Sequence, residues 1–117
     1  MDSAELRKRT KNFALRIIKL AESLPRGRAS DILGGQVLKA GTSVGANYRE
    51  ALRASSKRHF ISILEIALRE ADETSYWLEL LAESGIIKPA RLGPLADEAN
   101  QLIAILVATI RTAKKRS

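Results

Sequence analysis

Apolar residues recur at helical spacing along nearly the whole chain, and the recurrence breaks at three places. The breaks are Pro25-Arg26-Gly27-Arg28, Ala54-Ser55-Ser56, and Gly85 through Pro89 with Pro94 beyond. Between them lie segments with a 3-to-4-residue period, and no Val/Ile/Thr-rich alternating run argues for a strand. Four helices are therefore predicted. The first runs from about Ser3 to Leu24, with Asp2 or Ser3 as N-cap, and places Leu6, Phe13, Ile17, Leu20, Ala21 and Leu24 on one face. The second begins near Ser30 or Asp31 and runs to about Ala54. The third follows a Ser55 or Ser56 cap and carries the cleanest seam, Phe60, Leu64, Ala67, Ala71, Thr74, Leu78 and Leu81. Gly85 stands where a left-handed residue closes that helix, with Ile86 as its apolar partner. The fourth starts between Pro89 and Pro94 and continues through Leu95, Ala99, Leu102, Leu106, Ile110 and Ala113. Helices of similar length with short connections predict an all-α, antiparallel up-down-up-down four-helix bundle, one domain over residues 1–117.

Two segments depart from an ordinary amphipathic helix. The second helix carries Gly34, Gly35, Gly41 and Gly45, each costing about 1 kcal/mol against alanine. Gly41 and Gly45 share a face, so a second helix can approach closely there; Gly34-Gly35 marks a kink or a late start. A phosphate-cradling loop fails on spacing, since no Lys-Ser/Thr pair follows and no strand precedes. In the fourth helix the run from Leu102 to Ile110 is apolar nearly all round. Leu102, Leu106 and Ile110 can face a core. Ile103, Ile105 and Val107 then need other cover, and an oligomer interface is the expectation.

Composition removes most chemistries. There is no cysteine, so thiolate zinc sites, iron–sulfur clusters and a cysteine nucleophile are excluded. His59 is the one histidine; Ser56 three residues before it breaks the Glu-x-x-His di-iron pattern, and a surface or capping role is expected. Glu65, Glu70, Asp72 and Glu73 read as a solvated face with Arg69 rather than paired catalytic carboxylates. Neither an enzyme nor a metal or other cofactor is expected. The first residues lack a basic stretch followed by an apolar one, and a cytoplasmic location is the expectation.

Charge points to a partner. Twenty Lys+Arg against thirteen Asp+Glu give +7. Residues 1–28 carry net +5, 29–60 net +3, 61–98 net −5 and 99–117 net +4. In an antiparallel bundle the start of the first helix, the end of the second, the start of the third and the end of the fourth meet. That end would gather Arg7, Lys8, Arg9, Lys11, Arg49, Arg53, Lys57, Arg58, Arg111, Lys114, Lys115 and Arg116, twelve of the twenty basic residues. Such an end attracts polyanions. With only Phe13, Tyr48, Phe60, Tyr76 and Trp77 as aromatics, binding would read RNA or DNA backbone rather than stacked bases. The alternative is a protein-interaction scaffold or accessory subunit of a nucleic-acid enzyme.

The stretch from Lys39 to Ala51 (KAGTSVGANYREA) and the following Ser56 to Ala67 (SKRHFISILEIA) resemble the signature segments of the four-helix-bundle family first noted in intervening sequences of bacterial 23S rRNA genes. Ala71, Glu73, Tyr76, Trp77 and Leu78 continue the likeness. Departures are Arg49 for the family's alanine, Ala51 for its glycine, and Arg69-Glu70 for Gly-Ser. The resemblance implies a left-handed bundle, commonly a barrel-shaped homopentamer, and among some relatives an accessory role to retroelement reverse transcriptases through a basic surface. Asn47 and Glu50, kept from the motif, are expected to stabilise a turn by hydrogen bonding and only secondarily to bind.

Overall fold

The computed structural model describes residues 1–116. It contains four helices, α1 Ser3–Glu22, α2 Arg28–Ala51, α3 Lys57–Glu83 and α4 Pro89–Lys115, and no strand among the described residues. Each helix packs along the next in sequence, and α4 closes loosely on α1. The diagonal pairs α1/α3 and α2/α4 do not pack together. The result is an antiparallel four-helix rod of 50 × 21 × 19 Å.

Local chemistry sets the ends. Asp2 caps α1, its Oδ1 accepting from the Glu5 amide at 2.8 Å. Ser56 does the same for α3, its Oγ accepting from the His59 amide at 3.1 Å. Gly85 closes α3 with φ 80°, its amide reaching the Ala82 carbonyl at 3.1 Å. The longer closing bond comes from Ile87, not Ile86: the Ile87 amide reaches the Leu81 carbonyl at 3.1 Å, and Ile87 is the one that is buried. Helix α2 starts earlier than its Ser30/Asp31 signal. Gly27, at φ 155°, turns the chain, and its carbonyl accepts from the Asp31 amide at 2.9 Å. Gly34-Gly35 therefore lies inside the helix and neither starts it nor delays it. Pro89 is the first residue of α4, and Pro94 is carried inside it.

The core is one continuous cluster fed by all four helices. The α3 seam enters it as predicted except at its first position, where Phe60 is only half-buried. Two threonines sit in the core at full burial, Thr10 and Thr74. Each donates its hydroxyl to a carbonyl one turn back, Leu6 at 2.9 Å and Glu70 at 2.7 Å, so no buried side-chain polar atom is left without a partner among the described residues.

At Gly41 and Gly45 α1 lies close against α2. A Cβ on Gly41 would stand 2.7 Å and 2.8 Å from the Ile17 γ-carbons, and one on Gly45 would stand 3.2 Å from Thr10 Oγ1. The glycines offset their helix cost by letting two backbones close over fully buried side chains.

Candidate nucleic-acid interface

The alternation of chain direction brings the start of α1, the end of α2, the start of α3 and the end of α4 to one pole. Tyr48 shows how tightly the first two meet. Its phenol is buried near the end of α2, and burial, with Asp2 of the α1 start beside it, pushes its pKa up while Arg7 opposes.

Of the twelve basic residues expected at this pole, all but Arg9 are exposed. Arg49 and Arg53 flank the end of α2, Lys57 and Arg58 occupy the first turn of α3, and Arg111, Lys114 and Lys115 line the last turns of α4 with Arg116 just beyond. Those on α2 and α4 lie at helix C-termini, where the dipole favours them; Lys57 and Arg58 lie in the first turn of α3, where it does not, and Arg7 and Lys8 lie in the second turn of α1. The carboxylates available are few. Asp2 is committed to its cap, Glu5 and Glu50 are exposed, and Glu65 reaches Lys114 at 3.6 Å with both side chains more than half exposed.

Arg9 is used differently. Its Nε donates to Glu98 Oε2 at 2.8 Å and its Nη2 to Glu98 Oε1 at 2.7 Å, and Nη2 also donates to Gln101. The bidentate carboxylate raises the pKa of a guanidinium that is already permanently charged. Arg9 is thus part of the α1–α4 seam and is not one of the exposed cations of the pole. Nothing local in the sequence announces a partner 89 residues away.

The kept motif residues do not form a turn. Helix α2 runs unbroken through them to Ala51, which is buried in the core. Asn47 Nδ2 donates to the Ser43 carbonyl at 2.8 Å, one helical turn back, and Glu50 is exposed on the last turn. His59 is exposed, and its backbone, not its ring, takes part in the cap.

The apolar excess on α4 is better covered than its sequence suggests. Ile103 and Ile105 pack partly against the core of the same chain, and Val107 is half-buried. They flank the buried stripe of Leu102, Leu106 and Ile110, Ile103 and Val107 on one side and Ile105 on the other, so the neighbouring helices reach them. Freely exposed apolar side chains lie elsewhere, at Leu15 and Ile18 on α1, Ile32 on α2 and Tyr76 on α3, and at Met1 and Leu52 just outside the helices. A helical projection of α1 finds the first two, since both point away from Phe13, Ile17 and Leu20.

Among the described residues, no group of three His, Cys, Asp or Glu side chains is placed to hold a metal ion, and no helix is long and apolar enough to cross a membrane.

None of the curated proteins matches the chain. A crystal structure from Bacteroides thetaiotaomicron, of a protein with unknown function from the S23 ribosomal protein family, superposes with a TM-score of 0.88 at 35% identity, covering 95% of this chain and 99% of that one. The family model of the 23S rRNA-intervening sequence protein matches residues 3–108. By sequence and by fold, the chain belongs to the 23S rRNA-intervening sequence protein family.

Proposed function

We propose that this protein is a non-enzymatic, homo-oligomeric helical bundle that binds the phosphate backbone of RNA or DNA through its basic pole. The observation that carries the reading is the convergence of four helix ends bearing exposed Lys and Arg side chains, with Lys114–Glu65 the one exposed ion pair there among the described residues. Lys57 and Arg58, in the first turn of α3, work against its helix dipole, so helix stability does not account for them. A polyanion does, because each phosphate neutralised there releases condensed counterions. The homo-oligomer, a ring of five by family resemblance, is supported by the exposed apolar side chains of α1 and α3.

The two family names refer to 23S rRNA and to the ribosome, which makes a 23S rRNA fragment the first probe and a DNA duplex the second. Filter binding is expected to show retention at about 50 mM salt and a loss of roughly a thousandfold or more by about 200 mM if six or more phosphates are engaged. Converting Lys57, Arg58, Lys114, Lys115 and Arg116 to glutamine should flatten the salt slope by roughly one for each phosphate no longer neutralised. Absence of binding to either probe at about 50 mM salt overturns the reading.

A further inference from the structure

We propose that a groove at the basic pole takes the base of an unpaired nucleotide, so that the strand selected there is single-stranded rather than duplex. This rests on the polyanion reading above and names the class of nucleic acid that the pole prefers.

The groove has a volume of about 440 Å³ and runs along the last turns of α4. Phe60, from the first turn of α3, faces into it, and Ile105, Ala108, Thr109, Thr112 and Arg116 line its α4 side. Phe60 is the one member of the α3 seam that is left half-buried. The residues α4 sets around it are mostly small, so its ring is not fully covered.

Three features favour a nucleobase over an acyl chain or an apolar side chain. The first is the ring itself, since every base has a face that stacks on an aromatic. The second is a pair of hydroxyls along the wall. Thr109 Oγ1 donates to the Ile105 carbonyl at 2.8 Å and keeps lone pairs that can accept from a base, and the exposed Thr112 can donate or accept. A hydrocarbon uses neither. The third is charge. No carboxylate lines the groove, and Arg116 does. Lys57 stands one turn before Phe60, and Lys115 two turns beyond Ala108 on the same helix face, so both lie toward the pole end of the groove. Asp2, next to the groove's Met1, has an oxygen committed to the α1 cap. Phosphates on either side of an inserted base meet these cations.

One accessible ring at this pole means one base. Tyr48, the other aromatic there, is buried, and Tyr76 lies roughly 24 Å farther along α3 by helical rise. The site is therefore a single stacking position beside phosphate contacts. A base inside a duplex reaches it only by leaving its stack, and that cost separates paired from unpaired strands.

The test compares three probes by fluorescence anisotropy at about 50 mM salt: a single-stranded RNA of about ten nucleotides, the same RNA in duplex, and an abasic phosphodiester strand of equal length. Phe60→Ala should weaken the single-stranded RNA about five- to hundredfold and leave the duplex and the abasic strand as in the parent. Ala108→Leu, which fills the groove from an exposed position and leaves the core untouched, should do the same. Unchanged abasic binding shows that each variant still presents a folded pole. Variants that bind the single-stranded RNA as the parent does, or that weaken the abasic strand equally, overturn the base site. An acidic amphipathic peptide that binds the parent, fails on Ala108→Leu and leaves the RNA in place assigns the groove to a protein partner and also overturns it. Absence of binding by the parent to all three probes overturns the polyanion reading beneath it.

Discussion

Helix α1 is held on two sides in opposite ways. Against α2 it meets glycine: Gly41 and Gly45 have no side chain, and Ile17 and Thr10 fill that space at full burial. Against α4 the packing is loose, and the specific tie is one partly exposed guanidinium–carboxylate pair, Arg9 with Glu98. The first seam depends on shape and tolerates almost no added volume. The second depends on charge geometry, and both solvent and salt reach it. Close packing is the stronger device here because its many small attractions vanish together when the backbones are forced apart.

The largest effect should come from breaking the shape-dependent seam. Gly41→Ala places a methyl group against the stiff, β-branched Ile17. Overpacking costs about 1–3 kcal/mol, only partly offset by about 1 kcal/mol of helix propensity, so the variant should unfold at lower urea than the parent. Gly35→Ala is the counter-experiment. A Cβ there meets nothing within 4 Å, and a gain of about 0.5–1 kcal/mol is expected. If both substitutions stabilise, the two backbones are not closely apposed at Gly41.

Next in size is the polar tie. Arg9→Ala should cost about 1 kcal/mol, since it strands a half-buried Glu98 carboxylate, and the cost should shrink in high salt. Replacing Arg9 and Glu98 together by leucine should restore most of the stability. A double-mutant cycle measured by urea denaturation separates the pair from the packing around it.

The smallest effect lies away from α1 altogether, at Glu70 on α3. Burial, and then the neighbouring Glu73, hold its carboxyl above the ordinary glutamate range, against Lys39 and Arg69. A carboxyl whose folded pKa lies above its unfolded value binds more protons when folded. Its penalty is absent at low pH, grows as pH rises from the ordinary value of 4.5 through the raised one, and is complete above that. Glu70→Gln should therefore match the parent near pH 3 and exceed it at pH 7 by no more than about 0.5 kcal/mol. Thermal melts at the two pH values check this, and a reversed trend would remove the burial argument.

What could be read from the sequence was what local spacing encodes. The α3 seam beyond Phe60, a serine cap at Ser55 or Ser56 and the left-handed Gly85 each depend on residues within a turn or two of one another, and each is found in the structure, with Ser56 as the cap. The small-residue face at Gly41 and Gly45 was also legible, because a glycine in a helix needs a reason. Local reasoning failed where tertiary packing decides. Asn47 and Glu50 suggested a turn, but burial of Ala51 keeps the helix intact past them. Ile103 and Ile105 looked uncovered because the flanks that neighbouring helices supply are invisible in a single periodic run. Arg9 reads as one cation among many in the sequence, because its partner lies on the last helix. At the pole, chain direction says which helix ends meet, whereas each side chain's engagement, such as that of Arg9, depends on packing across the seam.

Because each helix packs chiefly against the next one along the chain, order can spread without a long loop having to close first. The hairpin of α2 and α3 can dock while α4 is still leaving the ribosome, and the shut-down of the α1–α4 groove comes last. Folding of this rod should therefore be fast and vectorial, with α4 acting as the latch that closes the bundle.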